Sequence, residues 1–322
     1  MYLSEVKQAI INSSELVIVS HEYPDGDSIG SSIALSKGLL KLGKVVKTII
    51  DSDVPRDYQF LAGAKDFRKP KDIEVHSDST VIFLDCADET RAGALIDSYR
   101  EKCLLSINID HHTGNTNFAD VNYIDVKASS TGEIIYDLLD LLGVEIDEDI
   151  ANALYISMVT DTGSFRFDNT TAKTFAISSH LIKVGVNLSA IRINLWENKT
   201  YNSINLLVDV LSTMKFACNR KVAYITVTRE IMERWKGNHG ELESFVSYPK
   251  SVQGIEVAMI FKEINMNEIK VSFRAKNNID VQSIASAFGG GGHKKAAGCT
   301  INTELAIAIK NVIDYLEKKL PQ

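Results

Sequence analysis

Three short apolar runs in the first half of this chain each end in a histidine or an aspartate, and no other feature constrains the fold as strongly. Leu16-Val17-Ile18-Val19 runs into His21-Glu22-Tyr23-Pro24-Asp25-Gly26-Asp27. Val81-Ile82-Phe83-Leu84 ends at Asp85, and Leu104-Leu105-Ser106-Ile107-Asn108-Ile109 ends at Asp110-His111-His112. The runs read as short buried strands, with Lys44–Asp51 as another. Between them lie helical patterns. Ser28–Leu42 carries apolar Ile29, Ile33, Leu35, Leu39, Leu40 and Leu42. Ser130 with Glu133 fits a capping box that opens a helix over Glu133–Leu142, and Gly143 ends it. Asp149–Val159 and Ala172–Val184 read as further helices, the latter closed by Gly185. Strands alternating with helices predict an α/β fold, a mostly parallel sheet with helices on both faces. Ligands of such sheets collect beyond the carboxyl ends of the strands, where all three acidic sites fall.

The pattern changes after residue 186. Leu188–Leu211 reads as two helices. Met214–Ala217 and Val222–Val227 flank the turn Asn219-Arg220, and Ile255–Ile264 and Glu268–Ala275 flank Asn265-Met266-Asn267, two hairpin signals. Helices follow near Val281–Phe288 and Glu304–Leu320. The expected organisation is a first domain over 1–186, a helical linker over 187–212 and a smaller α+β domain over 213–322. A length of 322 residues suits two domains, each able to bury a core.

Charge and cysteine usage exclude several classes. The chain carries 35 basic and 42 acidic residues, a formal charge of −7. A duplex-binding surface needs a basic stripe, so duplex nucleic acid is not expected as a partner. Cys86, Cys103, Cys218 and Cys299 form no Cys-x-x-Cys pair, so neither a zinc knuckle nor a redox motif is indicated. No apolar run is long enough to span a bilayer and no charged-then-apolar leader is evident. No membrane partner is expected, and a cytoplasmic protein is.

Each motif has a plain structural alternative. Pro24, Asp25-Gly26 and a capping Asp27 or Ser28 would make an ordinary turn into a helix, but this leaves His21 without a purpose. Asp85 alone would be a turn former. Adjacent side chains at a strand end point to opposite sides, so His111 and His112 need not share one task, and Asp110 is placed to orient an imidazole. Asp161, before Thr162-Gly163, sits where the helix dipole disfavours a carboxylate unless a cation lies beside it. Together Asp25, Asp27, Asp85 and Asp161 with His21 and His111 supply oxygen and nitrogen ligands and no thiolate. That donor set suits two divalent ions, Mn²⁺ before Ca²⁺, with zinc as a further option. Two ions about 3.5–4 Å apart clamp a phosphoryl group and activate a water. The second half holds Gly289-Gly290-Gly291-Gly292-His293-Lys294-Lys295-Ala296-Ala297-Gly298. Four glycines would serve as a flexible linker, yet small residues also let consecutive N–H groups cradle an anion. Arg274 is either an ordinary edge-strand arginine or a fork for a terminal phosphate.

These motifs, in this order, resemble the DHH phosphoesterase family. His21-x-x-x-Asp25-x-Asp27, Asp85, Asp110-His111-His112 and Asp161 match its four motifs. Gly290-Gly291-Gly292-His293 with Ala296-Ala297-Gly298 is similar to the signature of its DHH-associated C-terminal domain. The two-domain layout looks most like the stand-alone nanoRNase/pAp phosphatase branch. The resemblance implies that His21, Asp25 and Asp85 hold one Mn²⁺, and that Asp27, Asp85, His111 and Asp161 hold the other, with Asp85 bridging. It implies that His112 meets the scissile phosphate and that Asp110 orients from behind. Arg274, Gly290, Gly291, Gly292 and His293 would bind the rest of the substrate across a cleft between the domains. The implied substrates are short single-stranded oligoribonucleotides, cut to mononucleotides, and 3′-phosphoadenosine 5′-phosphate (pAp), converted to AMP. The competing readings are a phosphodiesterase for cyclic di-AMP or pApA, and a nucleotide-binding sensor without hydrolysis. A homodimer is compatible with the sequence.

Overall fold

In the computed structural model, which describes residues 2–93, 96–237 and 240–320, the chain divides into two compact units, Met1–Asn198 and Lys199–Gln322. The first contains α1 (Leu3–Asn12), β1 (Glu15–Ser20), α2 (Gly26–Lys41), β2 (Val45–Ile49), β3 (Phe67–Arg68), β4 (Ser79–Leu84), α3 (Ile96–Lys102), β5 (Leu105–Asp110) and β6 (Val121–Ile124). It continues through α4 (Thr131–Leu141), α5 (Glu148–Asp161), α6 (Ala172–Val184) and α7 (Leu188–Trp196). Its sheet has the order β3-β2-β1-β4-β5-β6, with every pairing parallel. The edge strands β3 and β6 and the helix α1 were not resolved as elements in the sequence pattern. β3 is two residues long, and β6 is only half buried, so neither makes an apolar run.

The central strands are buried on both faces, as parallel strands must be. Leu16 and Ile18 of β1, Ile82 and Leu84 of β4, and Ile107 and Ile109 of β5 point into one core, shared with α2, α4, α5 and α6. Val17, Val19, Val81 and Phe83 point the other way, onto Cys86, Ala92 and Tyr99. Each such fully buried side chain contributes about 1.5–3 kcal/mol. Helices α2 and α5 lie unusually close. A Cβ on Gly30 would come within 2.4 Å of the Ala153 carbonyl oxygen.

The second unit contains α8 (Tyr201–Ser212), β7 (Lys215–Ala217), β8 (Val222–Val227), α9 (Arg229–Trp235), α10 (Leu242–Phe245), α11 (Ser247–Ser251), β9 (Val257–Asn265) and β10 (Glu268–Ala275). α12 (Val281–Ser286), β11 (Gly291–His293), β12 (Ala296–Ile301) and α13 (Leu305–Lys319) complete it. The sheet order is β11-β12-β10-β9-β8-β7, antiparallel except for the parallel pair β8–β9. The glycine-rich segment is therefore no linker, since Gly291 to His293 form an edge strand against β12. Among the described residues no single helix is long and apolar enough to cross a membrane.

Candidate metal centre

The expected ligands of the first unit converge where the strand order reverses. β1 and β4 are neighbours, with Ser20 beside Leu84 in register. The next residues, His21 and Asp85, leave the sheet side by side, and His21 Nε2 lies 3.4 Å from Asp85 Oδ2. This is the crevice in which open α/β sheets bind ligands. Asp85 has a left-handed backbone, φ 60°, a conformation that aspartate tolerates better than most side chains. Its N–H donates to the Ile109 carbonyl at 3.1 Å.

The loop after β1 does two jobs. Asp25, rather than Asp27 or Ser28, caps α2, and its Oδ1 accepts the N–H groups of Asp27 and Ser28, both at 3.0 Å. This frees Asp27, which is buried and docks on the start of another helix. Thr131 N–H donates to Asp27 Oδ2 at 2.7 Å and Gly132 N–H to Oδ1 at 3.0 Å, while Ser157 Oγ donates as well. A carboxylate is favoured at the N-terminal end of α4 by the helix dipole. The expected capping box at Ser130 is half made. Ser130 Oγ accepts from Glu133 N–H at 3.1 Å, but the Glu133 carboxylate turns away to Ser129 and Thr174.

The triplet at the end of β5 divides. His111 Nδ1 faces the Ala128 carbonyl at 3.3 Å, so Nδ1 carries the proton and Nε2 points into the cluster. That nitrogen lies 3.5 Å from Asp27 Oδ2, 3.5 Å from Asp161 Oδ2 and 3.8 Å from Asp85 Oδ1. His112 instead meets Asp110, with Nδ1 2.7 Å from Oδ1. Asp110 is fully buried and its Oδ2 accepts from Asn115 Nδ2 at 2.6 Å. Asp161 is the last residue of α5, with Asn169 Nδ2 3.3 Å from its Oδ2.

Beside a group of Asp85, Asp110, His111 and His112, the donor atoms form two further tight groups, His21 with Asp25 and Asp85, and Asp27 with His111 and Asp161. Asp85 turns one oxygen toward each, Oδ2 to His21 and Oδ1 to His111. The separations of 3.4–3.8 Å are too long for good hydrogen bonds. His21 Nε2 and His111 Nε2 are both buried without a hydrogen-bond partner. An unsatisfied buried nitrogen costs about 1–3 kcal/mol, and a cation held between it and the carboxylates removes that cost. The residues present fit divalent ions with oxygen and nitrogen ligands.

Electrostatics lead to the same conclusion. Burial raises the Asp85 carboxyl well above its ordinary value, and Asp27 and Asp25 beside it push it further. Burial likewise raises Asp27, although His111 opposes it, and burial with Asp27 pushes Asp161 up to about 7. Burial lowers the affinity of His111 for a proton, but Asp27, Asp161 and Asp85 outweigh it and raise its pKa. His112 is raised first by its bond to Asp110. Such a crowd of carboxylates in one crevice calls for positive charge.

In the second unit, Arg274 of β10 pairs in register with Ala296 of β12, which pairs with His293 of β11. Residues opposite one another share a face, so Arg274 and His293 lie on the same side of this sheet. The Arg274 guanidinium is held by the Phe273 carbonyl at 3.0 Å and by Glu243 Oε2 at 3.4 Å. Gly290 precedes β11. Gly292 has φ 133°, and a Cβ there would come 2.6 Å from Ala297 Cα, so only glycine fits.

Sequence reasoning missed the groups that hold the candidate residues: Thr131, Gly132 and Ser157 around Asp27, Asn115 behind Asp110, and Glu243 beside Arg274. A signal existed for one of them. Ser157 is a buried polar residue inside the apolar stretch Tyr155-Ile156-Ser157-Met158-Val159.

Residues 15–158 match the DHH family, N-terminal domain, and residues 219–320 match the DHHA1 domain. The chain is 32% identical over 320 residues to the bifunctional oligoribonuclease and PAP phosphatase NrnA of Thermus thermophilus, covering 99% of this chain and 93% of that protein. Identity to the protein of the same name from Bacillus subtilis is 28% over 304 residues, covering 92% and 93%. An exopolyphosphatase-related protein from Bacteroides fragilis has the same fold, with a TM-score of 0.91 at 26% identity over 98% of this chain and 95% of that one. The exonuclease RecJ, solved with manganese, shares the fold at a TM-score of 0.59 and 15% identity, over 100% of this chain and 95% of that one. On these grounds the chain belongs to the DHH family, in its NrnA-like branch, with a DHHA1 domain as its second unit.

Proposed function

We propose that the chain is a manganese-dependent phosphohydrolase that cuts short oligoribonucleotides to mononucleotides and removes the 3′-phosphate of pAp. One arrangement carries this reading. Asp85 turns one oxygen toward His21 and the other toward His111, and each of these imidazoles has a buried nitrogen that lacks a partner. The curated relatives that match nearly the whole chain are named for these two activities.

His21, Asp25 and Asp85 would hold one ion, and Asp27, Asp85, His111 and Asp161 the other. Bound there, the pair would supply Lewis-acid stabilisation of the phosphoryl oxygens and a water of lowered pKa. The chain's own residues do the rest. Ala128 fixes the His111 tautomer so that Nε2 is a lone-pair donor. Asp110 holds His112 by Nδ1 and, with Asn115 behind it, fixes the ring orientation. The Nε2 of His112 is left to donate to a phosphoryl or leaving oxygen, and the bond to Asp110 keeps that imidazole protonated to higher pH than usual. In the second unit, Arg274, His293 and the Gly290–Gly292 backbone would bind the substrate's remaining phosphate or nucleotide.

The test is a product time course on an end-labelled five-nucleotide RNA and on pAp, with Mn²⁺ and with chelator. Mononucleotides from the RNA and AMP from pAp, both abolished by chelator, are expected. Loss of neither substrate would sink the assignment. Turnover restricted to cyclic di-AMP or pApA would move it to the sister phosphodiesterase activity.

A further inference from the structure

Just beyond Asp161, the last residue of α5, three consecutive residues have a left-handed backbone: Gly163 (φ 55°), Ser164 (φ 62°) and Phe165 (φ 61°). Glycine takes this conformation freely, but a bulky side chain such as phenylalanine takes it only under constraint. Thr162, which is fully buried, supplies that constraint. Its Oγ1 donates to the Met158 carbonyl at 2.6 Å and accepts the Phe165 N–H at 3.0 Å. Its carbonyl accepts the N–H groups of Arg166 at 2.9 Å and Phe167 at 3.0 Å, while Ser164 N–H donates to the Val159 carbonyl at 2.7 Å. The chain is thereby turned back on itself, and Asn169 closes the loop. Its Nδ2 donates to the Ser129 carbonyl at 2.9 Å and to the Asp161 carbonyl at 3.2 Å.

The two phenylalanines of this loop fare differently. Phe165 packs inward, stacked on Phe175 with ring centroids 5.3 Å apart and edge-on to Tyr155 at 6.0 Å. Phe167 instead rests on the loop itself. A Cβ on Gly163 would come 2.3 Å from Phe167 Cζ and 2.5–2.6 Å from its two Cε atoms, so the ring lies against the bare glycine. Even so, Phe167 stays 56% exposed. A ring left that far in water adds little to a core, yet its seat requires a glycine and two left-handed residues after it. Strain of this kind gathers where function needs a fixed geometry. Gly163 and Asn169 flank the ring in sequence and both adjoin Asp161, so Phe167 stands at the rim of the candidate metal centre.

We propose that Phe167 is the platform on which a nucleobase of the substrate stacks, next to the phosphate being cut. The proposal rests on the phosphohydrolase reading above and deepens it, because it gives the base a place beside the metal centre. Every base has a π-face, so stacking tolerates any sequence. That suits short RNA of mixed sequence and the adenine of pAp alike. It also suits unpaired bases, which an aromatic side chain can take because no neighbouring base pair holds them. The hydrogen bonds of Thr162 and Asn169 fix the loop before the substrate arrives, so little ordering remains to oppose binding.

The experiment compares wild type with Phe167→Ala, Phe167→Tyr and Phe167→Trp, all loaded with Mn²⁺. On a ribodinucleotide and on pAp, Phe167→Ala should raise KM about 5- to 100-fold, the scale of one stacked base, and leave kcat near wild type. Phe167→Tyr keeps the π-face and should stay near wild type on both. Two further ribodinucleotides each lack one base, and on one of them Phe167→Ala and wild type should have the same KM. In Phe167→Trp, titration with AMP should quench the added indole beyond any change seen in wild type, whose tryptophans are Trp196 and Trp235. The melting shift of Phe167→Ala on adding Mn²⁺ should match wild type. A wild-type KM in Phe167→Ala would overturn the proposal. So would a loss that persists on both base-deleted dinucleotides, or one that comes with a reduced Mn²⁺ shift, since the loop would then act by placing Asp161. If wild type cuts neither nucleotide, the hydrolysis reading falls by itself. The AMP titration of Phe167→Trp then decides the stacking, and an unquenched indole would overturn it.

Discussion

Asp85 is the residue on which the centre depends most, because its two oxygens face the two different imidazoles. Asp85→Asn keeps the size and removes the charge and one acceptor. It should lower kcat by roughly 10³-fold, the scale for losing a main electrostatic group, and should also reduce the Mn²⁺-dependent melting shift. A variant that keeps wild-type metal stabilisation would show that Asp85 does not bridge. Asp110 makes a contrasting case. It lies in one cluster with Asp85, His111 and His112, but it hydrogen-bonds His112 and Asn115 and neither orphaned nitrogen. Asp110→Asn should cut kcat by about 10²–10⁴-fold while the melting shift with Mn²⁺ stays at the wild-type value. Equal loss of metal binding in both variants would contradict the separation of His111 from His112.

At the scale of elements, the positions of the ligands follow from how three helices meet. A Cβ on Gly132 would come 1.9 Å from Ser157 Oγ and 2.5 Å from its Cβ, so α4 starts in contact with α5. That contact aims the Thr131 and Gly132 N–H groups at Asp27 of α2. Gly132→Ala should therefore cost about 1–3 kcal/mol through overpacking and weaken Mn²⁺ binding as well. An unchanged melting temperature and unchanged metal affinity would mean that the helix start is not the seat of Asp27. The residues proposed as ligands stand out in the sequence because each follows an apolar strand or ends a helix, and the strand periods are strong. Their supports do not. Thr131-Gly132 reads only as a helix start, and nothing local says that its N–H groups meet a carboxylate 104 residues away in sequence. The same limit explains Ser130 and Glu133. The spacing predicts a reciprocal capping box, but burial draws Glu133 into a network with Ser129 and Thr174. Gly291–His293 was legible as a segment where backbones approach closely. Its place as an edge strand was not, because pairing with Ala296–Gly298 is a tertiary choice for residues of low strand propensity.

For the molecule as a whole, the candidate metal centre links stability to pH. Asp27, Asp85 and Asp161 have folded pKa values raised above their unfolded ones, mainly through burial, with Asp161 at about 7. A raised carboxyl means that the metal-free folded state binds more protons than the unfolded chain. That contribution is fully present below the ordinary aspartate value and is lost as pH rises through the folded value. Without metal, the first unit should therefore lose stability as pH rises from about 4 through about 7, as bare carboxylates accumulate in the crevice. Mn²⁺ needs those carboxylates deprotonated, so its binding strengthens over the same range. A ligand at 100 times its dissociation constant adds about 2.7 kcal/mol, and that ratio should grow with pH. The melting temperature in Mn²⁺ minus that in chelator should accordingly be small near pH 5 and increase to a plateau above about pH 7.5. A difference that is flat or falls across this window would mean that these three aspartates do not surround the ion, whatever the activity of the loaded protein.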